Sequence, residues 1–127
     1  MKKTLLVVDD EPAIRLVLQH YFSSDFIVVA KSNGLEAMEW LNAGNSADAI
    51  VADYNMPVMD GLAFVQQVRA SGIHRDTNLL MLSGKDSTSD KIKCLRLGAD
   101  DYLAKPFNPE ELSLRIQKML NRARIWS

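Results

Sequence analysis

Four short motifs in this chain each stand at the end of an apolar run. They are Asp9-Asp10-Glu11-Pro12, Asp53-Tyr54-Asn55-Met56-Pro57, Ser83-Gly84 and Lys105-Pro106-Phe107. If the runs are parallel strands, three carboxylates, a hydroxyl and an ammonium converge on one edge of the sheet. Two carboxylates ~4 Å apart repel by about 4 kcal/mol at an effective dielectric near 20. Such a group therefore needs a cation, or one acid must keep its proton. Oxygen-only ligands favour a hard ion, and few carboxylates with room for water and phosphate suit Mg²⁺ better than Ca²⁺. A carboxylate can also attack phosphorus to give an acyl phosphate, a transfer that depends mostly on positioning and charge neutralisation. Asp53 is the natural nucleophile because it ends the predicted central strand. Asp9 and Asp10 are then left for the metal, and Lys105 and the Ser83 hydroxyl for the phosphoryl oxygens.

The elements that must position these groups can be read from the pattern of apolar residues. Leu5–Val8, Phe26–Ala30, Ala49–Ala52, Leu79–Leu82 and Tyr102–Ala104 are continuous rather than alternating, as in parallel strands covered on both faces. Between them the spacing is helical. Ile14, Val17, Leu18 and Tyr21 share one predicted face, then Leu35, Met38 and Leu41, then Leu62, Val65 and Val68. A shorter segment surrounds Ile92 and Leu95, and Leu112, Ile116, Met119 and Leu120 line the last helix. Pro12 suits a first helical turn, Pro109 with Glu110-Glu111 opens another helix, and Gly98 fits a left-handed stop. Repeated strand–helix alternation implies right-handed crossovers and one three-layer, doubly wound α/β domain over residues 1–127. In such sheets ligands bind beyond the carboxyl ends of the strands.

Composition narrows the function. The chain has 127 residues, net charge −1 and 47% hydrophobic residues, which fits a soluble single domain with no basic field to attract nucleic acid. Lys118, Arg122 and Arg124 read as a solvated last helical turn. Lone Cys94 can form no internal disulfide and reads as a small core residue. The N-terminal apolar run is too short for an export signal, and no stretch approaches a membrane span, so a cytoplasmic protein is expected. Residues 122–127 fit either a natural end or the approach to an output domain outside this chain. His20 and His74 lack ligand spacing, and Trp40 and Trp126 read as packing or tail.

Taken in order, these motifs resemble a response-regulator receiver domain of two-component signalling. The matching residues are Asp9-Asp10, Asp53 with Met56-Pro57 and Asp60-Gly61, Ser83-Gly84, Gly98-Ala99-Asp100-Asp101-Tyr102, and Lys105-Pro106-Phe107. The resemblance implies a flavodoxin-like five-stranded parallel sheet of order 2-1-3-4-5. It implies phosphorylation of Asp53 by a sensor histidine kinase or phosphotransfer protein. Mg²⁺ would be held by Asp10, Asp53 and the backbone carbonyl of Asn55, with Asp9 acting through water. A Lys105–phosphate contact and a cis peptide before Pro106 are also implied. Ser83 keeps the hydroxyl of a position that is often threonine, without the branched methyl.

In this family the Ser83 position moves towards the phosphoryl group and the Tyr102 position turns inward, altering the surface of the fourth helix, fifth strand and fifth helix. Lys91, Ile92, Leu95, Asp101, Glu111 and Arg115 on that surface resemble the dimer pattern of receivers attached to winged-helix domains, which points to a symmetric homodimer. Asn55 and Lys85 flank the route of the hydrolytic water and are expected to tune phosphoryl lifetime. Beyond slow autodephosphorylation, no turnover of a separate substrate is expected, nor any membrane contact or direct nucleic-acid binding.

Singly, each motif has a plainer reading: a helix cap at Asp9–Pro12, a turn at Asp53–Pro57, a loop at Ser83, a solvated Lys105, a packed Tyr102. Three rival functions stand beside the receiver. A dehalogenase-like phosphatase needs an acid where Asn55 stands, a flavin module would place its phosphate against Asp9-Asp10-Glu11, and a receiver-like scaffold would act without phosphorylation.

Overall fold

We describe a computed structural model of the protein in which residues 1–84 and 88–126 are described, with side chains as far as Asn121. Lys85, expected to tune phosphoryl lifetime, lies outside the described residues. The elements alternate throughout: β1 (Lys3–Val8), α1 (Pro12–Phe22), β2 (Phe26–Lys31), α2 (Gly34–Asn42) and β3 (Ala49–Asp53), then α3 (Gly61–Ala70), β4 (Asn78–Ser83), α4 (Thr88–Arg96), β5 (Asp101–Ala104) and α5 (Pro109–Trp126). All strand pairs are parallel and the order is β2-β1-β3-β4-β5. The strand order reverses beside β1, which pairs β2 on one side and β3 on the other.

The continuous apolar runs are explained by burial on two faces. Leu5, Val7, Val51, Leu80 and Leu82 pack with Leu18 and Phe22 of α1 and with Leu112, Ile116 and Met119 of α5. Their strand neighbours Leu6, Val8, Ile50, Leu79 and Met81 pack on the opposite face with Met38 and Leu41 of α2, Phe64, Val65 and Val68 of α3, and Cys94 of α4. Successive strand residues point to opposite faces, so each strand feeds both cores.

The helical faces need correction in three places. In α1 the buried pair is Leu18 and Phe22, whereas Val17 and Tyr21, assigned to the core face, are 47% and 42% exposed. In α2 Leu35 is exposed and Ala37 takes its place against the sheet. In α4 the only buried residue is Cys94, with Ile92 and Leu95 turned outward.

Local chemistry fixes the loop that carries Asp53. The Asp60 carboxylate caps α3 by accepting from the Ala63 amide at 2.8 Å. Gly61 follows because the helix starts hard against β3: a Cβ there would lie 2.6 Å from the Asp53 carbonyl oxygen and 2.8 Å from Tyr54 Cα. Within the same loop Val58 holds φ +71°, a strained conformation for a β-branched residue.

Candidate functional site

Asp9 lies one residue beyond β1, Asp53 and Ser83 end β3 and β4, and Lys105 lies one residue beyond β5. The parallel register therefore brings all of them to one edge. Lys105 Nζ lies 3.1 Å from Asp9 Oδ2, 3.2 Å from Asp53 Oδ1 and 3.5 Å from Glu11 Oε1. Asp9 and Asp53 are buried, and Asp10 is exposed at the rim. One carboxylate oxygen from each of Asp9, Asp10 and Asp53 falls within 4.8 Å of the others. The convergence expected from the strand ends is present.

The arrangement is electrostatically unbalanced. Burial first, then the Asp9 carboxylate, pushes the Asp53 carboxyl up to about 6, only partly offset by Lys105. Burial works against the Lys105 charge as well, but Asp53 and Asp9 outweigh it and hold its pKa above the ordinary value. One ammonium shared among Asp9, Asp53 and Glu11 leaves excess negative charge, which a hard cation would neutralise.

The pocket is held firmly from behind. Asp9 Oδ1 accepts from the Glu11 amide at 2.9 Å, the Asp9 carbonyl accepts from Arg15 Nη1 at 2.7 Å, and the Asp9 amide donates to Lys31 O at 3.1 Å. The Lys105 amide donates to the Ser83 carbonyl at 2.7 Å, and the Lys105–Pro106 peptide is cis. Ser83 is fully buried. Glu11 and Arg15 escaped the sequence reading as site residues. Glu11 looks like a helix start in sequence, and Arg15 reaches Asp9 only because α1 turns it back one turn.

On the flank, Tyr102 is buried at 6% exposure and packs in the α2–α3–α4 core, so its ring already lies inward. Arg115 pairs within its own chain, with Asp101 at 3.0 Å and with Glu111 at 3.0 Å. Lys91, Ile92 and Leu95 are exposed on α4. Of the candidate dimer residues, Asp101, Glu111 and Arg115 are joined in an ion network.

A family model described as the response regulator receiver domain matches residues 5–117. The chain belongs to the response-regulator receiver family. The receiver is 40% identical over 126 residues to the response regulator MprA of Mycobacterium ulcerans, covering 98% of this chain and 53% of that protein. The Francisella response regulator 1452 receiver domain superposes with TM-score 0.88 at 33% identity, covering 96% of this chain and 99% of that one. The receiver domain of the Pseudomonas aeruginosa sensor histidine kinase PA1611, which has a magnesium ion coordinated in its active-site cleft, gives TM-score 0.86 at 29% identity over 95% of this chain and 99% of that one.

The receiver spans about half the length of the curated relatives it matches. Receivers are signalling domains of two-component systems that accept phosphoryl groups from histidine kinases, not enzymes of substrate turnover. Among the described residues no helix is long and apolar enough to cross a membrane.

Proposed function

We propose that the receiver is switched by a phosphoryl group taken onto Asp53 from a histidine of a sensor kinase or phosphotransfer protein. An Asp53 oxygen attacks phosphorus, the P–N bond to the donor histidine breaks, and its electron pair returns to the imidazole. Lys105, already 3.2 Å from Asp53 Oδ1, exchanges that contact for a phosphoryl oxygen. The Ser83 hydroxyl donates to another as the switch is made. Asp10, Asp53 and the Asn55 carbonyl, with Asp9 through water, fit Mg²⁺. When bound, it neutralises charge on the phosphoryl oxygens. The observation that carries this reading is a buried carboxylate with a raised pKa, beside a fixed ammonium and two further acids.

The rivals fit the pocket less well. Asn55 cannot serve as the phosphatase's second acid, and Asp9, Asp10 and Glu11 would repel a flavin phosphate. Acetyl phosphate with Mg²⁺ is expected to add one phosphoryl mass to the wild type and none to Asp53→Asn. An unmodified wild type would overturn the proposal. Followed over time, the same labelled protein reads the lifetime role of Asn55 and Lys85: an unchanged rate of loss in Lys85→Ala would remove Lys85 from it.

The signal would leave through α4, β5 and α5 in a cytoplasmic protein, as a phosphorylation-dependent homodimer or through control of a downstream output domain. Exposed ion pairs contribute only ~0.2–1 kcal/mol each. Lys91, Asp101, Glu111 and Arg115 would therefore set register, while Ile92 and Leu95 supply apolar contact. Dimerisation across this face obliges Arg115 to share Asp101 and Glu111 with the partner. Light scattering with beryllofluoride is expected to show a dimer, and a monomer at high concentration would rule this interface out.

A further inference from the structure

Tyr54 follows Asp53 directly and is rigidly mounted. Its amide donates to the Leu82 carbonyl at 2.8 Å, and its carbonyl accepts from the Gly61 amide at 2.9 Å. The ring is 9% exposed, and its hydroxyl donates to Asp90 Oδ1 at 3.3 Å, across 36 residues of sequence. Asp90 lies in the first turn of α4. The bond therefore ties the residue next to the acceptor to the start of a helix on the signalling face.

The other end of α4 is anchored differently. Arg69 of α3 donates from Nε to the Gly98 carbonyl at 2.9 Å, from Nη1 to Thr77 O at 2.6 Å and from Nη2 to Asp100 Oδ2 at 2.9 Å. Gly98 itself holds φ +119°, and a Cβ there would lie 2.9 Å from Arg69 Cγ. Between these ends α4 buries only Cys94, whereas α3 buries Gly61, Phe64, Val65 and Val68. A helix with so little buried surface belongs to the low-stability part of a fold.

We infer that α4 is a lever, pivoted at Gly98 where Arg69 grips it and latched at its first turn by the Tyr54–Asp90 hydrogen bond. A change at Asp53 thus reaches the outer residues Ile92 and Leu95 through Tyr54. At 3.3 Å the contact is longer than the usual range for a hydroxyl donor, so a small displacement of the β3 end either tightens or releases it. The signalling part of this inference rests on Asp53 being the phosphoryl acceptor, but the latch itself does not.

Cys94, the single cysteine, reports the lever directly. It is fully buried, and burial first, then Asp90, pushes its thiol up to about 11, so labelling by an aromatic disulfide reagent requires α4 to open. Without phosphoryl donor, Tyr54→Phe and Asp90→Ala are each expected to speed labelling by roughly tenfold, equivalent to about 1.4 kcal/mol of local stability. The double variant should be no faster than the faster single one. Equal rates in wild type and Tyr54→Phe, or full additivity in the double variant, overturn the latch.

Beryllofluoride with Mg²⁺ is then expected to change the labelling rate of wild type but not that of Tyr54→Phe. An equal response in both overturns the coupling. Mass gain with acetyl phosphate on the same samples checks the acceptor separately. Its absence in wild type sinks the Asp53 reading, while the donor-free labelling rates still decide the latch.

Discussion

Asp53→Asn makes the metal-free receiver more stable at pH 7, by up to about 3 kcal/mol. The wild-type carboxyl is pushed from 3.8 in the unfolded chain up to about 6 in the fold, chiefly by burial and then by Asp9. A raised pKa favours the protonated form in the fold, and its contribution is complete only below the unfolded value. That contribution is lost as pH rises from about 4 through about 6, at about 1.36 kcal/mol per pH unit. Asparagine keeps the shape and carries no charge, so it escapes that loss, although it gives up one contact of Lys105. Urea unfolding in chelator at pH 7 and pH 4 reads the effect directly. The variant should lead at pH 7 and the gap should close at pH 4. A variant no more stable than wild type at pH 7 would mean that Lys105 already neutralises the pocket.

Lys105→Met produces the opposite effect. It deletes the ammonium that lies between 3.1 and 3.5 Å from three acids, two of them buried. Leaving a buried charge unpaired costs roughly 3–5 kcal/mol. The loss here falls near the low end because Asp53, already raised towards neutrality, takes up a proton instead. Three outcomes follow from the same electrostatics. The deficit is largest at pH 7 and smaller at pH 5. Adding Asp53→Asn recovers most of it. Mg²⁺ stabilises Lys105→Met more than wild type, because the ion takes over a charge that wild type already balances in part. Equal stability of variant and wild type in chelator at pH 7 would show that the ion pairs are solvated and contribute little.

Strand positions were legible because burial on two faces leaves an uninterrupted apolar run, as in β3, where all five residues are buried. Strand ends then gave the meeting of Asp9, Asp53, Ser83 and Lys105 without knowledge of any distance. Helical faces were less legible. Val17 and Tyr21 have the chemistry of core residues, and nothing in their spacing separates them from Leu18 and Phe22. Long-range polar contacts were not legible at all. Tyr54 and Asp90 lie 36 residues apart with no motif joining them, and only folding brings them to 3.3 Å. Arg69 belongs to no sequence motif, yet it grips the carbonyls of Thr77 and Gly98. Such contacts depend on the tertiary path, which local composition does not record.

The sheet of this receiver acts as a partition. Among the described residues the buried side chains packed with α1 and α5 form one cluster and those packed with α2, α3 and α4 another, since alternate strand residues face separate compartments. Damage in the two compartments should therefore sum: truncating Met119 and truncating Val65 ought to weaken the protein independently, as distant sites do. Selection can then reshape one side wall, where α1 leaves Leu16 and Val17 open to solvent, without retuning the wall that bears α4. Both walls border the rim where Asp9, Asp53 and Lys105 meet, so a change there is felt on either side of the sheet.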